Sequence, residues 1–189
     1  MPASIYRVPL CLDGALYVMP KPSGEWLEDD LRHYRQMGVD GLVSLLTAEE
    51  MHELGLAGEP RLCHDFGMDF RQHPILDRGV PEPAAFVRLA RDVYGQLGAG
   101  RSIAIHCRAG IGRSGMLACA VAVLTGLDCD AAIALVSAAR GVRVPDTEEQ
   151  AAFLAQLSCP AGGFGLKQAC PAAVFGGEFS QTRKRLAPS

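Results

Sequence analysis

One stretch near the middle of the chain decides the fold: Ile103-Ala104-Ile105-His106-Cys107-Arg108-Ala109-Gly110-Ile111-Gly112-Arg113-Ser114-Gly115. Its pattern predicts a buried strand, a loop of small residues and the start of an apolar helix. In such a unit the loop can turn several backbone N–H groups toward one point, where the helix dipole adds roughly half a positive charge. The stretch therefore predicts a cradle for an oxyanion.

The loop also places a cysteine beside the predicted anion site. Cys107 opens the loop, where amide donors, the helix N-terminus and Arg113 favour a nucleophilic thiolate. The planar guanidinium of Arg113 suits bidentate contact with two oxygens of an anion, and the Ser114 hydroxyl follows within reach of the sulfur. A buried structural cysteine is the ordinary alternative, and Cys119 in the apolar helix is predicted to be one. For Cys107 the loop glycines and the flanking strand and helix disfavour this purely structural role.

Strands and helices alternate on both sides of this unit. A helix over 26–37 is predicted to begin at the N-cap Ser23 and to end at Gly38. The alternation predicts an α/β sandwich with a central, mostly parallel sheet of four to five strands flanked by helices. Strands are predicted at 15–19, 41–46, 70–75 and 102–106, and helices at 26–37, 48–54, 84–97, 112–124, 130–139 and 146–157.

Length and composition bound the organisation of the chain. With 189 residues it is long enough for one domain,. We expect that domain over residues 1–158, followed by a flexible Gly-, Ala- and Pro-rich tail over 159–189. The net charge of -3 gives no broad attraction to nucleic acid or to an anionic membrane,.

Cysteine and histidine usage bears on compartment and metals. The seven cysteines form no C-x-x-C pair, and the chain begins with no recognisable signal peptide, which favours a reduced, cytoplasmic protein,. The most apolar run, 116–124, is far shorter than the roughly 20 residues of a membrane span. The five histidines show no i, i+4 pairing, so no metal and no cofactor are expected,.

Three motifs resemble those of the cysteine-dependent protein tyrosine and dual-specificity phosphatases. His106-Cys107-(x5)-Arg113-Ser114 resembles their signature. The stretch 73–77, His-Pro-Ile-Leu-Asp, resembles their general-acid loop, and 147–150, Thr-Glu-Glu-Gln, resembles their glutamine-bearing loop. The resemblance covers about residues 16 to 157 and is closest to the small, single-domain dual-specificity enzymes, including the type associated with cyclin-dependent kinases.

The resemblance implies metal-independent hydrolysis of phosphomonoesters through a phosphocysteine intermediate. The substrate would be a phosphorylated protein or peptide, most often at tyrosine, with serine and threonine as further targets. Cys107 would be the nucleophile, Ser114 would stabilise its sulfur as a leaving group, Gln150 would orient the attacking water and His106 would help to hold the loop. The phosphate-binding loop would comprise Cys107, Arg108, Ala109, Gly110, Ile111, Gly112 and Arg113.

Such a reaction needs a proton for the departing oxygen, because an alkoxide or phenolate leaves phosphorus poorly. Asp77 is the candidate acid, since it follows a predicted strand of a parallel sheet, where ligands bind. Asp65 and Asp69 are less favoured, because they precede that strand or begin it. A helix cap is the ordinary alternative for Asp77, and an exposed surface position is the ordinary alternative for Gln150.

Other functions stay open at the level of sequence. Arg108 adds a second positive charge at the pocket, which would suit a phosphoinositide or an inositol phosphate. A catalytically silent phosphate-binding module is a further alternative. Rhodanese or arsenate reductase chemistry is disfavoured, because Arg113 and Ser114 complete a phosphate cradle and no resolving cysteine is evident,. We expect a monomer that binds no nucleic acid.

Overall fold

The computed structural model describes residues 4–158, so the tail predicted over 159–189 lies outside the described residues. One sheet of five strands has the order β1-β2-β5-β3-β4. The first strand is antiparallel to the second, and all other neighbours are parallel. The strands are β1 (Tyr6–Val8), β2 (Leu16–Pro20), β3 (Gly41–Ser44), β4 (Asp69–Gln72) and β5 (Ile103–Cys107).

Helices cover both faces of the sheet, which confirms the predicted fold class. They are α1 (Leu27–Gln36), α2 (Ala48–Glu53), α3 (Glu59–Asp65), α4 (Pro83–Gly98), α5 (Arg113–Leu124), α6 (Cys129–Arg140) and α7 (Glu148–Ser158).

Side chains along the central strands alternate between the two faces of the sheet, and each face has its own hydrophobic core. In β3 and β5 every residue is buried, as expected for central strands of a covered parallel sheet,. Val43 and Ile105 point into the core formed with α4, α5, α6 and α7. Leu42 and Ala104 point into the opposite core, which α1 and α3 help to form. The site loops leave the sheet between these two packed layers.

Two short elements were not predicted from the sequence, and the N-cap of α1 was assigned to the wrong residue. Neither β1 nor α3 was predicted: the strand has three residues, and the helix is short and carries a proline at its start. The N-cap of α1 is Trp26, not Ser23, whose hydroxyl instead accepts a 3.4 Å hydrogen bond from the Trp26 N–H. Trp26 is 64% exposed, so it lies outside the buried face of α1.

Within residues 4–158, no helix has the length and apolar character needed to cross a membrane. The same residues contain no group of three or more His, Cys, Asp or Glu side chains arranged to hold a metal ion.

Candidate active site

The loops that follow β3, β4 and β5 meet at the carboxyl edge of the sheet, where ligands of parallel sheets bind. The loops after β4 and β5, together with the α6–α7 connection and the start of α7, surround a pocket of about 160 Å³. Its floor is the loop that joins β5 to α5. The pocket is lined by Asp77, Arg78, Cys107, Arg108, Ala109, Ile111, Gly112, Arg113, Asp146 and Gln150.

The β5–α5 loop has the conformation that its glycines permit. Gly110 has φ +71°, and a Cβ there would lie 2.4 Å from the carbonyl carbon of Met19,. From α6, Arg140 donates hydrogen bonds of 2.9 and 2.8 Å to the carbonyl oxygens of Ala109 and Gly110. Its guanidinium also lies 4.1 Å from the ring centroid of Tyr6 in β1. Arg140 thus holds the loop from the side of α6. It is a positioning residue that was not predicted from the sequence.

At the start of this loop, Cys107 and Ser114 contact each other as predicted. The Cys107 Sγ lies 3.2 Å from the Ser114 Oγ, and both side chains are buried. Cys107 nevertheless lines the pocket, with 3% of its surface exposed. By contrast Cys119 is fully buried in α5, where burial raises the pKa of its thiol to about 12, as suits a core residue.

A single guanidinium joins three segments of the site. Arg113 is 2% exposed and forms a bidentate ion pair with Glu50, at 2.6 and 2.9 Å. It also donates to the Ile75 carbonyl oxygen and to Asp77 Oδ1, both at 2.9 Å. Burial by itself lowers the pKa of Arg113, but the hydrogen bond with Glu50 and the charges of Cys107, Glu50 and Asp77 outweigh it and raise this pKa,.

Glu50 is the second positioning residue that the sequence analysis missed. In sequence it is only the fourth member of a capping box, in which Thr47 and Glu50 exchange hydrogen bonds at the start of α2,. In the structure the same carboxylate also holds Arg113. Partial burial by itself raises the pKa of Glu50, but hydrogen bonds from Arg113 and the Thr47 backbone, together with the charges of Arg113 and Arg108, hold this pKa below its usual value.

The predicted acid lies at the mouth of the pocket. Asp77 has a 60% exposed side chain and faces Arg113. It does not cap α4, because Glu82 accepts the hydrogen bonds from the Ala84 and Ala85 N–H groups. Asp77 is therefore available to a ligand.

The two alternative acids lie elsewhere. Asp69 begins β4 at the amino edge of the sheet and pairs with Arg101 at 2.6 Å. Asp65 ends α3, ahead of that strand. Since the pocket is at the carboxyl edge, neither of them lines it.

Gln150 is not an exposed surface residue. It is fully buried, and its Nε2 donates a 3.0 Å hydrogen bond to the Gly79 carbonyl oxygen in the β4–α4 loop. Its neighbour in the pocket, Asp146, was not predicted as a site residue. It was predicted as the first residue of the helix over 146–157, but α7 begins at Glu148, so Asp146 lies in the α6–α7 connection.

His106 lies beneath the loop rather than in the pocket. Its Nε2 is 3.1 Å from Glu59 Oε1, at ion-pair distance but without hydrogen-bond geometry, and both side chains are fully buried. Arg108 lies at the rim, where it contacts Glu50 at 3.6 Å and Glu53 at 3.3 Å. Glu50 and Glu53 thus compensate the positive charge of Arg108. It was this charge that suggested a polyanionic substrate.

The chain is similar in sequence to known proteins. The family described as "Polymorphic toxin system, DSP-PTPase phosphatase" matches residues 19–127. The chain is 26% identical over 92 residues to cyclin-dependent kinase inhibitor 3 of Sus scrofa; this match spans 49% of the chain and 43% of that relative's length. The chain therefore covers less than half of that curated relative.

Solved structures share the fold. Kinase-associated phosphatase, crystallised with its catalytic-site cysteine replaced by serine, has a TM-score of 0.77 at 20% identity, covering 84% of this chain and 95% of its own. A putative protein tyrosine phosphatase from Leishmania major has a TM-score of 0.66 at 19% identity, covering 80% and 97%. The family match includes the loop with Cys107 and Arg113, which confirms the sequence-based expectation of a cysteine-based phosphatase family. The chain belongs to the DSP-PTPase phosphatases of polymorphic toxin systems.

Proposed function

We propose that the chain hydrolyses phosphomonoesters of proteins through a phosphocysteine intermediate. The observation that carries this proposal is the meeting of Cys107, Ser114 and Arg113 in one pocket whose floor is a loop of backbone amides at a helix N-terminus. Such a site supplies a nucleophile, a partner for the sulfur and a binding place for a tetrahedral anion.

In the first step the Cys107 sulfur attacks phosphorus and the ester oxygen leaves. The loop amides and Arg113 bind the phosphoryl oxygens. Arg113 can do so by exchanging its hydrogen bond with Asp77 for one with the phosphoryl group, while Glu50 keeps the guanidinium in place. Asp77, released and protonated, then donates its proton to the leaving oxygen.

In the second step water attacks the phosphocysteine and the S–P bond breaks. The Ser114 hydroxyl, 3.2 Å from the sulfur, donates a hydrogen bond to the departing thiolate. Gln150, which lines the pocket, would orient that water. His106 supports the loop from below through its contact with Glu59.

The substrate we propose is a phosphorylated protein or peptide, with phosphotyrosine favoured and phosphoserine and phosphothreonine also accepted. Pairing of Arg108 with Glu50 and Glu53 argues against a site built for a polyanionic inositol phosphate. We also propose that the monomer is the active form. We further propose that it acts in the cytoplasm.

The test is the Cys107→Ser variant assayed with para-nitrophenyl phosphate and with a phosphotyrosine peptide. We expect loss of turnover with phosphate binding retained, and unchanged turnover in Cys11→Ser, which alters an exposed cysteine far from the chemistry,. Turnover by Cys107→Ser at the wild-type rate would refute the phosphocysteine mechanism. Phosphopeptide binding without turnover by the wild-type protein would instead indicate a binding module.

A further inference from the structure

Three arginines line the phosphate pocket, and they differ in how their charges are compensated. Arg113 and Arg108 both pair with Glu50. Within the described range 4–158, Arg78 makes no ion pair and no side-chain hydrogen bond. Arg78 therefore brings an uncompensated positive charge to the pocket.

Burial separates Arg78 from the arginine that binds the phosphoryl group. Arg113 is 2% exposed, whereas Arg78 is an exposed residue that directly follows the candidate acid at the mouth of the pocket. A pocket of about 160 Å³ holds little more than the phosphoryl group and the end of the side chain that carries it. The parts of a protein substrate that reach Arg78 are therefore the residues beside the phosphorylated one.

The backbone of Arg78 has a conformation that favours glycine. The Gly79 N–H donates a 2.9 Å hydrogen bond to the Leu76 carbonyl oxygen, and this bond closes a tight turn. Arg78 is the third residue of the turn and has φ +60°, a value that no other non-glycine residue approaches in the described part of the chain. Glycine or asparagine is preferred at such a position, and exceptions cluster at ligand-binding sites. The turn thus holds an arginine side chain at the pocket mouth against local backbone preference.

The carboxylates of the pocket do not neutralise Arg78. They are Asp77 and Asp146, and in the described residues neither lies within ion-pair distance of the Arg78 guanidinium. In the first step described above, Asp77 leaves Arg113 in its protonated form, which carries no charge. The positive charge of Arg78 therefore stays available while a substrate is bound.

We propose that Arg78 is a specificity-determining residue, which binds an aspartate or glutamate side chain next to the phosphorylated residue of a protein substrate. This inference rests on the proposed function and narrows its substrate class to phosphoproteins with acidic flanks. The planar guanidinium donates two parallel hydrogen bonds to such a carboxylate. Because this contact lies away from the reacting atoms, it is equally strong in the bound substrate and in the transition state. It therefore strengthens substrate binding without raising kcat.

The experiment compares two phosphotyrosine peptides that are identical except for glutamate or glutamine on both sides of the phosphotyrosine. For the wild-type protein, kcat/KM should be about threefold to fivefold higher with the glutamate peptide, which is the size of an exposed ion pair. The difference should lie in KM, and about 0.5 M NaCl should reduce it by screening. The ratio compares each enzyme with itself, so a general change in activity does not affect it.

Three variants assign the ratio to Arg78. In Arg78→Asn, which removes the charge and tolerates the left-handed φ, the ratio should fall to about one. In Arg78→Glu the preference should invert, so that a peptide with lysine flanks is hydrolysed faster than the glutamate peptide. The matched control is Arg143→Asn, because Arg143 is also exposed and makes no ion pair in the described residues, but does not line the pocket. It should keep the wild-type ratio.

The outcomes separate this inference from the proposed function. A wild-type ratio of one, or an unchanged ratio in Arg78→Asn, would overturn the role of Arg78. Equal slowing of the two peptides in Arg78→Asn would overturn it as well, since Arg78 would then contact the phosphoryl group itself. Loss of the ratio in Arg143→Asn would show a general surface field instead of a defined contact. Turnover by Cys107→Ser would refute the phosphocysteine mechanism, while the peptide ratios would still report on Arg78.

Discussion

Arg113 shows how much of the site depends on one side chain. It is 2% exposed, yet it contacts Glu50 of α2 and two residues of the β4–α4 loop, Ile75 and Asp77. A buried guanidinium without a charged partner strongly destabilises the folded state. Glu50 therefore compensates the charge of Arg113 whether or not a phosphate is bound. Asp77 is the more exposed partner and the one that an incoming anion can replace.

Glu50→Gln should destabilise the protein and weaken catalysis. Loss of one partner of a buried ion pair costs about 3 kcal/mol in unfolding free energy. The pKa of Glu50 is lowered on folding, so its contribution is present above the ordinary carboxyl pKa and is lost as pH falls through the folded value,. Urea unfolding at several pH values should therefore show a wild-type advantage near neutrality that shrinks in acid.

The matched control is Glu53→Gln, an exposed carboxylate that contacts Arg108. Surface pairs contribute about 1 kcal/mol or less, so this variant should unfold close to wild type. Equal stability of the two variants at neutral pH would show that Glu50 does not anchor Arg113.

Asp77→Asn should slow substrates in proportion to the difficulty of their leaving groups. If Asp77 donates the proton, phosphotyrosine turnover falls about 10² to 10⁴-fold, while an activated aryl phosphate is affected much less. The measurement is the rate against leaving-group pKa for both enzymes. Parallel lines would remove Asp77 from the acid role, and Asp65→Asn and Asp69→Asn should match wild type throughout.

Among the secondary-structure elements, α5 and the loop before it form the most buried unit. The helix is apolar on all sides and packs against α4, α6 and α7, so its axis is fixed,. Its N-terminus therefore points rigidly at the pocket. The loop is held in turn by Arg140 and by the close approach of Gly110 to the end of β2.

Gly110→Ala should abolish most of the activity while leaving the protein folded. Its Cβ would meet the Met19 carbonyl carbon at 2.4 Å and would occupy a left-handed φ, so the loop must shift,. A displacement of about 1 Å in such a site costs roughly 10²-fold in rate. Steady-state kinetics and phosphate affinity would measure it.

Gly141→Ala provides the comparison. It has a similar φ of +75°, but a Cβ there meets nothing within 4 Å. We expect a loss of about 1 kcal/mol in stability from strain alone and unchanged kinetics. If Gly110→Ala retains full activity, the loop tolerates displacement and the steric account is wrong.

Viewed as a whole, the molecule consists of two packed layers on one sheet, and the pocket depends on the layer formed by α4 to α7. Phe86 of α4 and Phe153 of α7 meet edge to face, with ring centroids 5.5 Å apart. This contact connects the helix after the β4–α4 loop, which carries Asp77, to the helix that carries Gln150. Packing on this face therefore sets where Gln150 lies.

Phe86→Ala should unfold about 3–5 kcal/mol more easily, because a fully buried ring leaves a cavity,. Thermal and urea unfolding would measure the loss. Leu76→Ala removes an apolar side chain that is 75% exposed and should change stability by about 0.5 kcal/mol or less,. A small loss for Phe86→Ala would mean that this layer relaxes to fill the space.

The sequence by itself determined the reactive unit and the architecture around it. The predicted phosphate-binding loop is contiguous, from Cys107 to Arg113. Its candidate catalytic residues could therefore be recognised from one local sequence pattern. The buried strands and the helices each show a periodicity set by their own backbone geometry, and their order implies a parallel sheet. Asp77 was recognisable because it follows a strand, and the structure does place it in the pocket.

Only the tertiary structure decided which polar groups support that unit. Glu50 reads locally as a helix cap, yet it holds Arg113 from 63 positions away. Gln150 contacts Gly79 across 71 positions, and Arg140 reaches Gly110 across 30. Asp146 lines the pocket from the α6–α7 connection. Such partners are selected when distant segments pack together, because hydrogen bonding depends on position in space. This proximity in space leaves no periodic pattern in the sequence.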